Sequence, residues 1–318
     1  MAFNPADYDA RITLASGDFR TCVSSESPPV SGHWLQHALD ANRIESAVES
    51  FIGGGASILI TPTDGISALP EPGTGDDTGE ALPACERTFQ ETAGAFRKAA
   101  ARAASDQLGV APVAVWGAIG PVEPLVTLNE VEEETLLEAF GRQATALKAG
   151  GVDAVICRGF SELEALVLAV RAVRESTSLP VIGGMTFDAG HDYSQTSMGV
   201  TIPQAMKSLL DAGACMIGCD GSEFPDGAPA IVSLLRASGP LPVYVEVTAG
   251  RAELIETGRI YPENPKAFGE RLERLVEAGA LIVGGGAGVS VAHLAEMGKV
   301  AARLKNRGRA GKGGGKFP

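Results

Sequence analysis

Short apolar, β-branched runs alternate with longer amphipathic stretches along nearly the whole chain, and this alternation limits the fold more than any other feature. The runs are RITLA (11–15), SILITP (57–62), APVAVWGAIG (111–120), VDAVIC (152–157), LPVIGGMTF (179–187), ACMIGC (214–219), LPVYVEV (241–247) and ALIVGG (280–285), eight in all. Between them lie segments such as EVEEETLLEAFGRQATALKAGG, with apolar residues at helical spacing, carboxylates in the first turn and a glycine stop. GGGAS, AGGVDA, DAGACM and EAGALI each end a helical stretch in small residues and lead straight into an apolar run. That is the αβ turn of a repeated βα unit. Eight such units in 318 residues predict an α/β fold, a single-domain (β/α)8 TIM barrel over 1–305, followed by a flexible Gly/Lys-rich tail over 306–318. A doubly wound sheet is the alternative, but ASGDFRTC after the first run does not fit the GxGxxG fingerprint of that fold.

Charge and composition narrow the partners. A net charge of −13 argues against nucleic acid, whose phosphates require a basic face. No apolar run approaches the length that spans a bilayer, so no membrane partner is expected. The first residues, MAFNPADYDARITLASGD, lack the basic start and apolar core of a signal peptide. The five cysteines (22, 85, 157, 215 and 219) form no CxxC pair, and a reducing, cytoplasmic setting is the expectation.

Several segments, in order, resemble the homocysteine S-methyltransferase family, which includes the homocysteine-binding barrel of cobalamin-dependent methionine synthase and betaine–homocysteine methyltransferase. GGGASILITPTDGISA is similar to that family's AGADII-TNTF-A segment, and VWGAIGP to its AGSIGP strand end. GGVDAVICRGFSELEALVLAVRAV resembles AGVDLLLFETFYDLEEAKAAV, and DAGACMIGCDGSEFP resembles AGADAIGVNCSxGP. LPVYVEVTAGRAEL and VEAGALIVGGGAGVSVAHL resemble LPVIVYPNAGLPEL and VEAGVNIIGGCCGTTPEHI. The resemblance covers about residues 10–305 and implies a barrel that holds zinc with three cysteines and activates the homocysteine thiol on it. Carried over position by position, those cysteines fall on Gly221, Gly286 and Ala287, none of which ligates a metal through its side chain. The family's homocysteine-holding Asp falls on Ser16, and the Glu that contacts the amino group falls on Arg158. No metal is therefore expected, unless Cys219, Cys157 and His191 assemble a displaced site. Strand alternation read back from Gly221 puts Cys219 on the same face, one layer deeper.

In a barrel the chemistry gathers at the C-terminal ends of the strands. Arg158 offers a guanidinium that prefers a carboxylate or phosphate, so one reading gives it an anionic ligand. The other gives it an internal acid, and Glu246 is a candidate. Tyr244, Glu246 and Thr248 share one face of VYVEVT while Val243, Val245 and Val247 share the other, which points Glu246 into the barrel. Buried there, its carboxylate must be paired, and it is either a general base or the structural partner of Arg158. Asp18 and Arg20 after the first run, Thr61, Thr63 and Asp64 after the second, Asp188 after the fifth, and Asp220 with Glu223 after the sixth converge on the same mouth as substrate-binding candidates. The Gly/Pro/Asp-rich segment ALPEPGTGDDTGEALP (68–83) lies on that face as a rim, a lid or a plain surface insertion. His293 is read as a packing residue of the last helix, and GGGAG as either a phosphate-binding helix entrance or the residue of lost cysteines.

Three functions remain open on these residues. The first is a zinc-independent methyl- or one-carbon-group transferase acting on an anionic small molecule, with a corrinoid or folate partner implied only by the family resemblance. The second is a barrel enzyme with unrelated acid–base chemistry on a carboxylate or phosphate. The third is a non-catalytic binding subunit. A homo-oligomer is compatible with all three.

Overall fold

The computed structural model describes residues 12–19, 41–66, 81–106, 112–121, 131–187, 193–222, 226–251, 253–255 and 258–312. Eight parallel strands form the barrel: β1 (Thr13–Leu14), β2 (Ile58–Ile60), β3 (Ala114–Ile119), β4 (Ala154–Phe160), β5 (Val181–Met185), β6 (Met216–Ser222), β7 (Val243–Val247) and β10 (Ile282–Gly285). Their order around the sheet is β1-β10-β7-β6-β5-β4-β3-β2. A parallel bridge between Ala15 and Ile58 joins β1 to β2 and closes the ring. The closing hydrogen bonds run from Ser16 N–H to Ile58 O and from Ser57 N–H to Leu14 O, each at 2.8 Å.

Helices alternate with these strands: α1 (Ala41–Gly53), α2 (Ala81–Asp106), α3 (Glu133–Ala149), α4 (Leu163–Ser176), α5 (Ile202–Ala212), α6 (Ala228–Ser238), α7 (Pro265–Glu277) and α8 (Val291–Lys312). Their ends use local chemistry legible in the sequence. Thr201 and Gln204 form a capping box at α5, whose far end is closed by Gly213 in the left-handed region (φ 89°). Asn264 accepts from Ala267 N–H at the start of α7, 3.0 Å. α8 continues to Lys312, past the position-305 boundary expected from composition. No helix among the described residues is long and apolar enough to cross a membrane.

Strand alternation sorts the core into two layers. Side chains from one face of every barrel strand (Ala15, Ile58, Ile60, Trp116, Ala118, Ala154, Ile156, Ile182, Met216, Tyr244 and Ile282) fill the barrel interior. The opposite faces, including Val243, Val245 and Val247, pack beneath the helices. Trp116 and Tyr244 meet edge to face at 5.8 Å and, fully buried, plug the middle of the barrel. With its interior plugged, the barrel is closed below its mouth.

Two features depart from the expected pattern. A short antiparallel hairpin, β8 (Glu253–Ile255) with β9 (Gly258–Ile260), lies between β7 and α7. In addition, β4 and β6 are bulged near their C-terminal ends, where three residue steps oppose two on the neighbouring strand. The bulges fall at 157–160 and 219–222, which bracket Arg158 and Gly221. Such bulges re-aim side chains beside functional sites.

Candidate active site

The mouth is organised around Arg158. It sits inside the β4 bulge, followed by Gly159 at φ 82°, a conformation that L side chains adopt only with strain. The Arg158 guanidinium donates from Nη1 to Glu246 Oε1 at 2.7 Å. It donates from Nε to Asp64 Oδ2 at 3.0 Å, and Nη2 lies 3.0 Å from the same oxygen. Glu246 points into the barrel as its alternation demands, and its second oxygen accepts the Tyr244 hydroxyl at 3.0 Å. The side chains of Arg158, Asp64 and Glu246 are 15%, 13% and 5% exposed. The arrangement is therefore the internal pairing that the sequence left open, with Asp64 as a second carboxylate.

Asp64 reaches Arg158 because the chain after β2 is clamped to β3. Thr63 donates to Ala118 O at 2.5 Å, and Thr61 accepts from Ala118 N–H at 3.0 Å. Thr63 having spent its one proton, the 2.8 Å contact between the two hydroxyls is donated by Thr61. Both threonines are fully buried, so these two candidates splice β2 onto β3 beneath the mouth. The turn is then pressed against Gly120, where a Cβ would stand 1.7 Å from the Asp64 carbonyl oxygen.

The other candidates fall into four groups. Ser16 is buried and its hydroxyl accepts from Ile60 N–H at 3.0 Å, joining β1 to β2. Asp18 is half-buried just beyond β1, and Asp220 lies in the β6 bulge. Arg20, Asp188, His191 and Glu223 lie outside the described residues, as does the 68–83 segment up to the start of α2 at Ala81. His293 does more than pack. Its Nδ1 accepts from Ser290 N–H (3.2 Å) and lies 2.9 Å from the Ser290 hydroxyl, while Nε2 meets Glu263 O at 2.9 Å. It thus caps α8 in the position that Glu or Gln takes in a capping box.

The positions where the resemblance implies zinc do not fit the metal. Gly286 N–H donates to Val247 O at 2.7 Å and Ala287 O accepts from Ala249 N–H at 3.0 Å, so this turn is stitched by backbone to the exit of β7. Cys219 corrects the expectation from alternation. The β6 bulge breaks the period between Cys219 and Gly221, and Cys219 is buried in the layer beneath the helices. Cys157 belongs to the same layer, and burial raises its thiol far above the usual range. Burial likewise pushes the Cys215 thiol up to about 11 and the Cys85 thiol up to about 12. Thiols held protonated are poor metal ligands. Among the described residues no three His, Cys, Asp or Glu side chains are grouped to hold a metal ion.

Comparison with known proteins adds to this geometry. The chain is similar to the methionine synthase of Mycobacterium tuberculosis, 29% identical over 215 residues, and to that of Mycobacterium leprae, 28% over 198 residues. These matches cover 65% and 60% of the chain but only 18% and 16% of the synthases, so the chain spans less than a fifth of those relatives. In fold it is similar to the homocysteine methyltransferase MmuM from Escherichia coli in its metallated form, with a TM-score of 0.75. That similarity covers 93% of this chain and 99% of MmuM at 16% identity. The homocysteine S-methyltransferase family model matches residues 13–301, which takes in all eight barrel strands. With the barrel and this match in agreement, the chain belongs to the homocysteine S-methyltransferase family.

Proposed function

We propose that this chain is a zinc-independent member of its family that moves a methyl or other one-carbon group to or from a small anionic molecule held at Arg158. The observation that carries the reading is the Arg158 guanidinium itself. It stands at the mouth, partly exposed, with Nη1 fixed 2.7 Å from the buried Glu246. A guanidinium so oriented has lost its side-chain freedom in advance, which lowers the cost of binding a carboxylate or phosphate. Glu246 acts here as a positioning residue. Both of its oxygens are engaged, by Arg158 and by Tyr244, which suits orientation of a cation better than proton transfer. A corrinoid- or folate-carrying protein as the source of the methyl group belongs to the same proposal and is supported by the likeness to methionine synthases.

A thermal-shift screen of small carboxylates and phosphates tests the reading. A ligand that binds only the native state stabilises it by about 2.7 kcal/mol at a hundred times its dissociation constant, which a melting curve resolves. Wild-type protein should melt higher with at least one such anion. The double variant Arg158→Met/Glu246→Gln, which removes the cation together with its buried partner, should show no shift. Equal shifts in both proteins, or none in either, would overturn the proposal.

A further inference from the structure

Arg158 contacts two carboxylates, and they are held in different ways. Glu246 comes from the middle of the barrel wall, is 5% exposed, and is tied on its other oxygen by Tyr244. It meets the end of the guanidinium at Nη1. Asp64 comes from the turn beyond β2 and meets the side edge, where a single oxygen stands 3.0 Å from both Nε and Nη2. That edge is one on which a planar carboxylate docks against an arginine with two parallel hydrogen bonds. Among the described residues Arg158 meets these two carboxylates, and Asp64 fills its side edge. A ligand carboxylate that docks on that edge must therefore take the place of Asp64.

We infer that Asp64 is an internal surrogate for the ligand: its carboxylate occupies the anion position on the Nε/Nη2 edge of Arg158 and must swing away when a substrate carboxylate binds. The inference rests on the anion site proposed above and names its substrate class, a small carboxylate that docks side-on. Asp64 is the group that leaves because its attachment permits it. Its backbone is held by the Thr61–Thr63–Ala118 clamp and by the close approach to Gly120, so the exchange needs only a side-chain rotation. Glu246 stays, since its departure would break its hydrogen bonds to both the Tyr244 hydroxyl and Nη1. Occupation by Asp64 lowers the affinity of that edge for every competing anion.

Calorimetric titration of acetate and of inorganic phosphate into wild type, Asp64→Asn and Arg158→Met/Glu246→Gln tests this. Removing the internal competitor and its charge should tighten acetate binding at least tenfold in Asp64→Asn, and the double variant should bind neither anion. Acetate bound no more tightly by Asp64→Asn than by wild type, yet lost in the double variant, would overturn the surrogate and leave the Arg158 site standing. Binding that ignores Arg158, or no binding to any of the three proteins, would overturn both. Phosphate tightened more than acetate would overturn the carboxylate class. Should circular dichroism show Asp64→Asn unfolded, Asp64→Ser gives the same comparison.

Discussion

Replacing Arg158 with Met should lower the unfolding free energy of the ligand-free protein by about 3–5 kcal/mol, the range for removing one member of a buried ion pair. The loss comes from the carboxylates left behind more than from the missing attraction. Glu246 would lose its Nη1 donor, and Asp64 would lose both donors on the edge it now caps. Urea unfolding measures this as a shift in midpoint at constant slope. The companion Arg158→Met/Glu246→Gln should recover the Glu246 share of the loss, because an amide can accept from Tyr244 without carrying a buried charge. Lys207→Ala is the control. Its pair with Asp211 on α5 is 79% and 62% exposed, and its loss should change stability by roughly 0.5 kcal/mol or less. Equal effects at Arg158 and Lys207 would mean that the mouth triad is solvated.

Gly120→Ala should be the most damaging glycine-to-alanine substitution among the described glycines, since its Cβ makes the shortest approach of any of them. A Cβ there would stand 1.7 Å from the Asp64 carbonyl oxygen and 2.7 Å from its carbonyl carbon, and neither is the movable end of a flexible chain. The turn must shift, at a cost of about 1–3 kcal/mol. The shift also draws Asp64 off Arg158, so acetate affinity should rise, as it should in Asp64→Asn. Gly53→Ala makes the comparison fair, since a Cβ at that position meets nothing within 4 Å. Stability within about 0.5 kcal/mol of wild type is expected there. A Gly120→Ala protein as stable as Gly53→Ala would show that the turn beyond β2 is not held against β3.

Periodicity makes the barrel legible in the sequence, because each apolar run has to bury one face inside the sheet and the other beneath a helix. Glu246 was placed correctly on the same ground: alternation with Val245 and Val247 left it only the interior. The pairing of Arg158 was legible only as one of two readings, since nothing local says which acid a guanidinium meets across the mouth. Asp64 is 94 positions away in sequence and is delivered by a turn whose closeness depends on Gly120 having no side chain. Where alternation failed, a bulge was the cause. One extra residue in β6 reversed the face assigned to Cys219, and bulges leave no mark in hydrophobic pattern alone. The β8–β9 hairpin was missed because its strands are three residues each; the apolar pair Leu254–Ile255 and Ile260 on either side of Thr257–Gly258 were the available signal. For Thr61 and Thr63, composition does not say whether a hydroxyl near a strand end faces solvent or splices two strands.

Zinc content tests most directly the proposal that the mouth is built around a guanidinium in place of a metal. Protein expressed in zinc-supplemented medium and measured by elemental analysis should carry far less than one zinc per chain, since Gly221, Gly286 and Ala287 offer no ligand and Cys219 is turned beneath the helices. About one zinc per chain, lost on changing Cys219 to Ser, would contradict it.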